Sequence, residues 1–186
     1  MKTTLIILLI LATVLSFAQP VINYSTHAPS AGDFNSYSGV DFINPGKSGK
    51  NVVWDFSVAV NNGKITLSEQ TNATLLDAPK FEFDSQIVLT ENGNSFFHSL
   101  SSDNYAITGV TNKDFEIFYH KPLTRMVYPF AYANHFEGEL KATSVSTADR
   151  ERKTEISGNY IFTADAYGEI ILPGGIHKKV LRVYQY

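Results

Sequence analysis

Residues 164–186 read ADAYGEIILPGGIHKKVLRVYQY, the pattern of the closing β-hairpin of a sheet protein. Glu169-Ile170-Ile171-Leu172 is short, apolar and partly β-branched, as in a strand buried on both faces. Pro173-Gly174-Gly175 then breaks the run, because proline fixes φ and glycine tolerates φ above zero. Val180-Leu181-Arg182-Val183-Tyr184 is the return strand. This reading places Ile170, Leu172, Leu181 and Val183 in the core, with Gly174 or Gly175 at positive φ. Neither this stretch nor the rest of the chain carries a sequence motif for a nucleophile, a metal cluster or a phosphate loop, so the sequence does not specify a biochemical activity.

Upstream of the hairpin nearly everything alternates strand with turn. Residues 154–164 put Ile156, Tyr160, Phe162 and Ala164 on one face, with Gly158 among them as a kink or a point of close packing. Residues 64–76 show the clearest period of two: Ile65, Leu67, Ala73 and Leu75 alternate with polar residues, which predicts a half-buried strand whose polar face is wet. Glu69 and Thr71 interrupt the apolar face, as a bulge or an exposed end would. Residues 51–57 (NVVWDFS) are another strand, with Val52, Trp54 and Phe56 on one side. Short strands at 81–83, 87–90, 95–100, 105–110 and 115–119 are separated by polar turns, including the hairpin-forming pair Asn92-Gly93. Pro122 and Pro129 bracket an edge or crossing segment, since proline cannot donate to a ladder. Residues 136–147 are mostly polar and read as the wet side, and residues 21–49 read as extended segments and loops with a turn at Asn44-Pro45-Gly46. Outside the first 18 residues no segment repeats apolar side chains with helical spacing, and 13 Phe and 10 Tyr suit pleated, half-buried surfaces. The expected fold is all-β, an antiparallel β-sandwich or β-roll of short strands.

The first 18 residues set the compartment. Lys2 precedes an apolar run over residues 5–17, and Ser16-Phe17-Ala18 supplies small residues for cleavage after Ala18. A membrane anchor needs roughly 20 apolar residues, and Gln19-Pro20 comes too soon for one. The reading is a cleaved signal peptide over 1–18 and a single domain over 19–186, secreted or held at the cell surface. No cysteine follows the apolar run, which excludes lipoprotein attachment, and the chain has no disulfide. Cleavage removes one charge, Lys2, from 15 basic and 18 acidic residues and leaves a net charge of −4. A mildly acidic chain without a basic block argues against nucleic acid as a partner.

The candidate sites each have a plainer reading beside them. His27, His98, His120, His135 and His177 include no pair at the local spacing of metal ligands. Asp33, Asp41 and Asp55 are the acids a glycosidase pair could draw on, but sequence gives no separation between them. Gly46-Lys47-Ser48-Gly49-Lys50 lacks the spacing of a phosphate loop and reads as a flexible basic turn. No cofactor is implied; calcium has candidate ligands in Asp/Asn-rich loops such as Asp103-Asn104 or 112–114. Trp54, Tyr105, Tyr119, Tyr128 and Tyr160 either fill the core or present a sugar-binding face.

The block 165–175 followed by Val180-Leu181-Arg182-Val183 resembles a recurring ending in exported proteins of Bacteroidetes sent out by the type IX secretion system. Met126-Val127-Tyr128-Pro129-Phe130 is similar to their Y-P-F segment, and Gly32-Asp33 with Trp54-Asp55-Phe56 to their amino-terminal pattern. The resemblance implies contact with export machinery and a carboxy-terminal sorting domain, with no activity to transfer. The chain given ends at Tyr186 without such a domain, so it is expected either to continue beyond Tyr186 or to leave by another route. The functional expectation is an exported, non-catalytic β-module for display, adhesion or spacing, with a surface glycan or protein as partner. The alternatives are a carbohydrate-binding module and a secreted hydrolase or its accessory domain.

Overall fold

The computed structural model describes residues 19–75 and 81–186, so the expected leader lies outside the described residues. Strands make up 65% and helix 4%, which makes the fold all-β. In chain order the strands are β1 (Val21–Ile22), β2 (Phe34–Val40), β3 (Gly49–Asp55), β4 (Asn61–Asn72), β5 (Ile87–Glu91), β6 (Asn94–Leu100), β7 (Asn104–Thr111), β8 (Phe115–Val127), β9 (Phe130–Ala131), β10 (His135–Ser146), β11 (Lys153–Leu172) and β12 (Ile176–Gln185). A single helical turn, α1 (Tyr24–His27), follows β1.

The main sheet runs β12-β11-β10-β8-β7-β6-β5-β4-β2, with neighbours antiparallel throughout. The exception to the expected antiparallel order is β3, which pairs parallel with the second half of β11. β1 and β9 form a separate ladder in which Ile22 lies opposite the fully buried Phe130. The turn chemistry follows the sequence. Asn92 and Gly93 both have positive φ (50° and 75°), as a two-residue type I′ hairpin requires. Gly174 (83°) and Gly175 (74°) are both left-handed in the closing turn.

The sheet is covered on both faces at its centre. On one face the Phe81 ring packs on Phe97 and Phe118, with centroids 5.0 and 5.3 Å away. Gly109 makes room for that ring, since a β-carbon there would lie 2.2 Å from it. On the other face His98 stacks on Tyr105 at 4.5 Å. Residues 106–110 of β7 are accordingly buried without interruption. The sheet also curls, because Arg125 of β8 reaches the Phe162 ring of β11 and the Gln185 side chain of β12.

Several expectations need correction. The alternating strand expected at 64–76 ends at Asn72, and its faces are inverted over residues 65–68: Ile65 and Leu67 are 65% and 53% exposed, while Ser68 on the opposite face is only 3% exposed. β5 pairs with β4 only from Ser68 onward, so residues 61–67 extend past the covered part of the sheet. Residues 136–147 are not uniformly a wet flank. Residues 142–146 of β10 are paired on both sides, with Ala142 and Val145 buried, whereas residues 135–141 pair with β11 alone and keep alternate residues exposed. Ile170, Leu172, Leu181 and Val183 are half-buried rather than core, because the closing hairpin lies at the sheet margin. Gly158 meets nothing within 4 Å of a β-carbon, so no close packing explains it.

The close approach is at Gly168 instead. Its β-carbon would lie 1.8 Å from the Val52 carbonyl oxygen, so only glycine lets β3 lie against β11. Gly168→Ala should therefore lower stability by about 1–3 kcal/mol, the usual cost of overpacking. Gly158→Ala, with open space around it, should leave stability unchanged or slightly raised. Urea unfolding of both variants checks this, and equal effects would refute the close-approach argument.

Candidate functional site

The residues singled out from sequence are dispersed. His27 sits in α1 with Nδ1 2.7 Å from Thr26 Oγ1; His120 Nε2 lies 2.9 Å from Thr143 Oγ1; His177 pairs with Glu169; and His135 is exposed at the start of β10. Asp33 accepts a hydrogen bond from Ser30 N at 2.9 Å. Asp55 accepts one from Ser57 N, and the hydroxyl and amide of Ser57 hold its carboxyl below the usual range. Asp41 is exposed beyond β2. Among the described residues no three His, Asp or Glu side chains converge as a metal site.

The two candidate calcium loops use their oxygens internally. Asn112 Oδ1 accepts the amides of Asp114 and Phe115, and Asp114 is paired with Lys113. Asp103 gives its carbonyl to Tyr128 N and its carboxylate to Ser102. The turn at 46–50 offers carbonyls rather than amides, since Pro45 O and Gly46 O accept from Arg182 and Lys47 O from the Trp54 indole. That polarity suits a cation, not a phosphate. Among the rings proposed for sugar stacking, Trp54 and Tyr160 are buried and Tyr105, Tyr119 and Tyr128 are half-buried.

The structure does bring together three residues from opposite ends of the chain. Asp165 is the extra residue of a bulge in β11, between the pairs Ala164–Val183 and Ala166–Arg182. Its carboxylate receives two hydrogen bonds from Arg182, at 2.8 and 2.7 Å. The same guanidinium lies over the Trp54 ring at 5.5 Å and binds the loop carbonyls of residues 45 and 46. Every polar group in this cluster has its partner within the protein. It works as a clamp that fixes loop 41–48 to the closing hairpin, over a shallow apolar cavity of about 300 Å³ lined by Trp54, Phe56 and Ile170.

A second polar cluster lies inside the curl. The pairing of β7 with β8 skips Arg125, so a bulge re-aims its side chain. Its one described hydrogen bond goes to Gln185 Oε1 at 3.3 Å. His98 is 2% exposed, and its Nδ1 has no hydrogen-bond partner. Burial, with the nearby Arg125 charge, pushes the His98 pKa down to about 4. Burial also pushes Tyr105 up to about 12. Near these groups, segment 24–31 roofs a cavity of about 480 Å³ over β5 and β6, lined by Tyr24, Ser25, Ser30, Asn72, Gln86 and Leu100.

The third feature is the ribbon formed by β2 and residues 61–67 of β4. Register places Phe34, Ser36 and Ser38 on the same face as Leu67 and Ile65. Phe34 is 61% exposed, and Tyr37 on the other face is also open to solvent. Val40, Phe42, Val58 and Val60, around the end of the ribbon, are exposed as well. Sequence reasoning missed this surface because it assigned Ile65 and Leu67 to the core.

Two outcomes follow from the clusters. Arg182→Met should destabilise the protein by about 2–3 kcal/mol, because it leaves the partly buried Asp165 carboxylate without its charged donor; limited proteolysis should then cut loop 41–48 first. The folded pKa of His98 lies below its unfolded value, so the unfolded state binds the extra proton. Stability from this group is complete above about pH 6.5 and is lost as pH falls toward about 4. Between pH 7.5 and pH 5 the loss should be about 2 kcal/mol, and His98→Leu should abolish that part of the slope in urea unfolding.

Comparison with protein-family models, with curated proteins and with solved structures finds no match for this chain.

Proposed function

We propose that this is an exported, non-catalytic β-module that binds another macromolecule at the cell surface, in adhesion, display or spacing. The observation that carries the reading is the β2–β4 ribbon, which exposes Phe34, Ile65 and Leu67 on one face and Tyr37 on the other. Soluble sheets place such residues inward, and a contiguous exposed apolar surface marks an interaction site. Export rests on the apolar run at 5–17 with its small-residue cleavage pattern, and the type IX route on the motif resemblance at 165–183. The clamp of Asp165, Arg182 and Trp54 has the closed hydrogen bonding of a structural element.

A carbohydrate-binding module is the second reading. It is favoured by the cavity under segment 24–31, where the Tyr24 ring, 40% exposed, stands beside the side chains of Ser25, Asn72 and Gln86.

The exported protein should begin at Gln19 by peptide mass analysis and bind immobilised protein surfaces. Leu67→Glu should reduce that binding at least tenfold, a change of about 1.4 kcal/mol, without unfolding an already exposed position. Glycan-array binding lost with Tyr24→Ala would favour the second reading. Hydrolysis of glycosides or peptides lost on changing one carboxylate would overturn both.

A further inference from the structure

We propose that the open edge of β2 is a self-association site, at which two copies of the chain pair their β2 strands antiparallel across a two-fold axis. The inference rests on the reading of the ribbon as the binding surface and names its partner.

Among the described residues the sheet has several open edges, and they differ in chemistry. β12 carries Lys178, Lys179 and Arg182, and β3 carries Lys50 and Asp55. Charged side chains are a usual means by which sheets prevent strand addition. β2, with the sequence FNSYSGV, has neither a charge nor a proline, although charged Asp33 and Asp41 flank it. The mature chain carries a net charge of −4, which disfavours close approach of two copies in general. At β2 no side-chain charge opposes their approach.

The ribbon also needs more strands. Among the described residues, 61–67 of β4 have β2 on one side and no strand on the other. A ribbon two strands wide is marginal in water, and three or more strands are needed for independent stability. Pairing two ribbons gives four. The geometry permits it: β2 keeps regular register with β4 from Phe34 to Ser38, and the irregularity falls only at Gly39. A two-fold axis through Ser36 preserves the two faces of the sheet. It sets Phe34 against Ser38 of the second copy, Asn35 against its Tyr37, and Ser36 against its own equivalent. No carboxylate lies directly opposite another in this register, the flanking Asp33 and the second copy's Asp41 being diagonal neighbours, and one uncharged strand satisfies both sides of an isologous contact.

Sedimentation velocity of the purified protein over a wide concentration range should show a monomer–dimer equilibrium. Ser36→Lys and Ser36→Glu each place like charges directly opposite across the axis. Each should weaken the dimer at least tenfold with an unchanged circular dichroism spectrum, because Ser36 is exposed. Mixing the two variants should restore a dimer containing one copy of each. A wild-type protein that stays monomeric overturns the inference, as does a dimer indifferent to both substitutions. If that monomer still binds immobilised protein through Leu67, the surface reading stands and only the partner is wrong; if it binds nothing, both fail.

Discussion

The fold depends on one strand changing partners along its length. β11 is 20 residues long, and β10 covers one side of its first half. On the second half β3 takes that side, while β12 runs along the other. The change is made possible by a missing side chain and by an extra residue. Gly168 lets the β3 backbone approach β11 closely, and the Asp165 bulge turns a carboxylate toward Arg182. Arg182 then fastens a loop 137 positions away in sequence. The chain has no disulfide, so long-range closure rests on these hydrogen bonds and on burial.

The two ends of the sheet have opposite characters as a result. At the β11 end the charged groups of the clamp are satisfied internally and Ile170, Leu172, Leu181 and Val183 are half-buried, although Val53 and Ile176 face solvent. At the β2 end the sheet narrows to two strands and presents apolar side chains to water. The polar face of β4 meanwhile turns inward, with Ser68 buried and Gln70 opposite Leu89. That arrangement is costly in isolation and becomes sensible once another surface covers the ribbon.

Between these ends lies an interior that is not uniformly apolar. His98 and Arg125 share the curl with Tyr105 and Phe162. A buried imidazole ties the fold to pH, since burial disfavours its charged form and the Arg125 charge adds to that. The carbonyl-rich turn at 45–47 and the internally bonded loops at 103 and 112–114 show the same economy, with polar groups spent on backbone closure.

The sequence by itself determined the class of the fold and its turns. Period-two alternation, abundant aromatic residues and the absence of helical spacing specify strands, and Asn92-Gly93 and Gly174-Gly175 specify left-handed turns because few other residues tolerate that backbone. It placed Trp54, Asp165 and Arg182 in separate stretches, without saying that they touch. The inward faces at Trp54 and at Tyr160, Phe162 and Ala164 were legible in the alternation, but only the tertiary structure decided which face of β4 is inside. Alternation shows that the two faces differ; the pairing of β5 with β4, which begins at Ser68, is what leaves Ile65 and Leu67 uncovered. The same holds for the second half of β10, whose polar residues hide an inner position set by β8 and β11 on either side. Local propensity acts between neighbours in the chain, whereas burial is set by strands that meet across the sheet, and that second kind of information is not written in any single stretch.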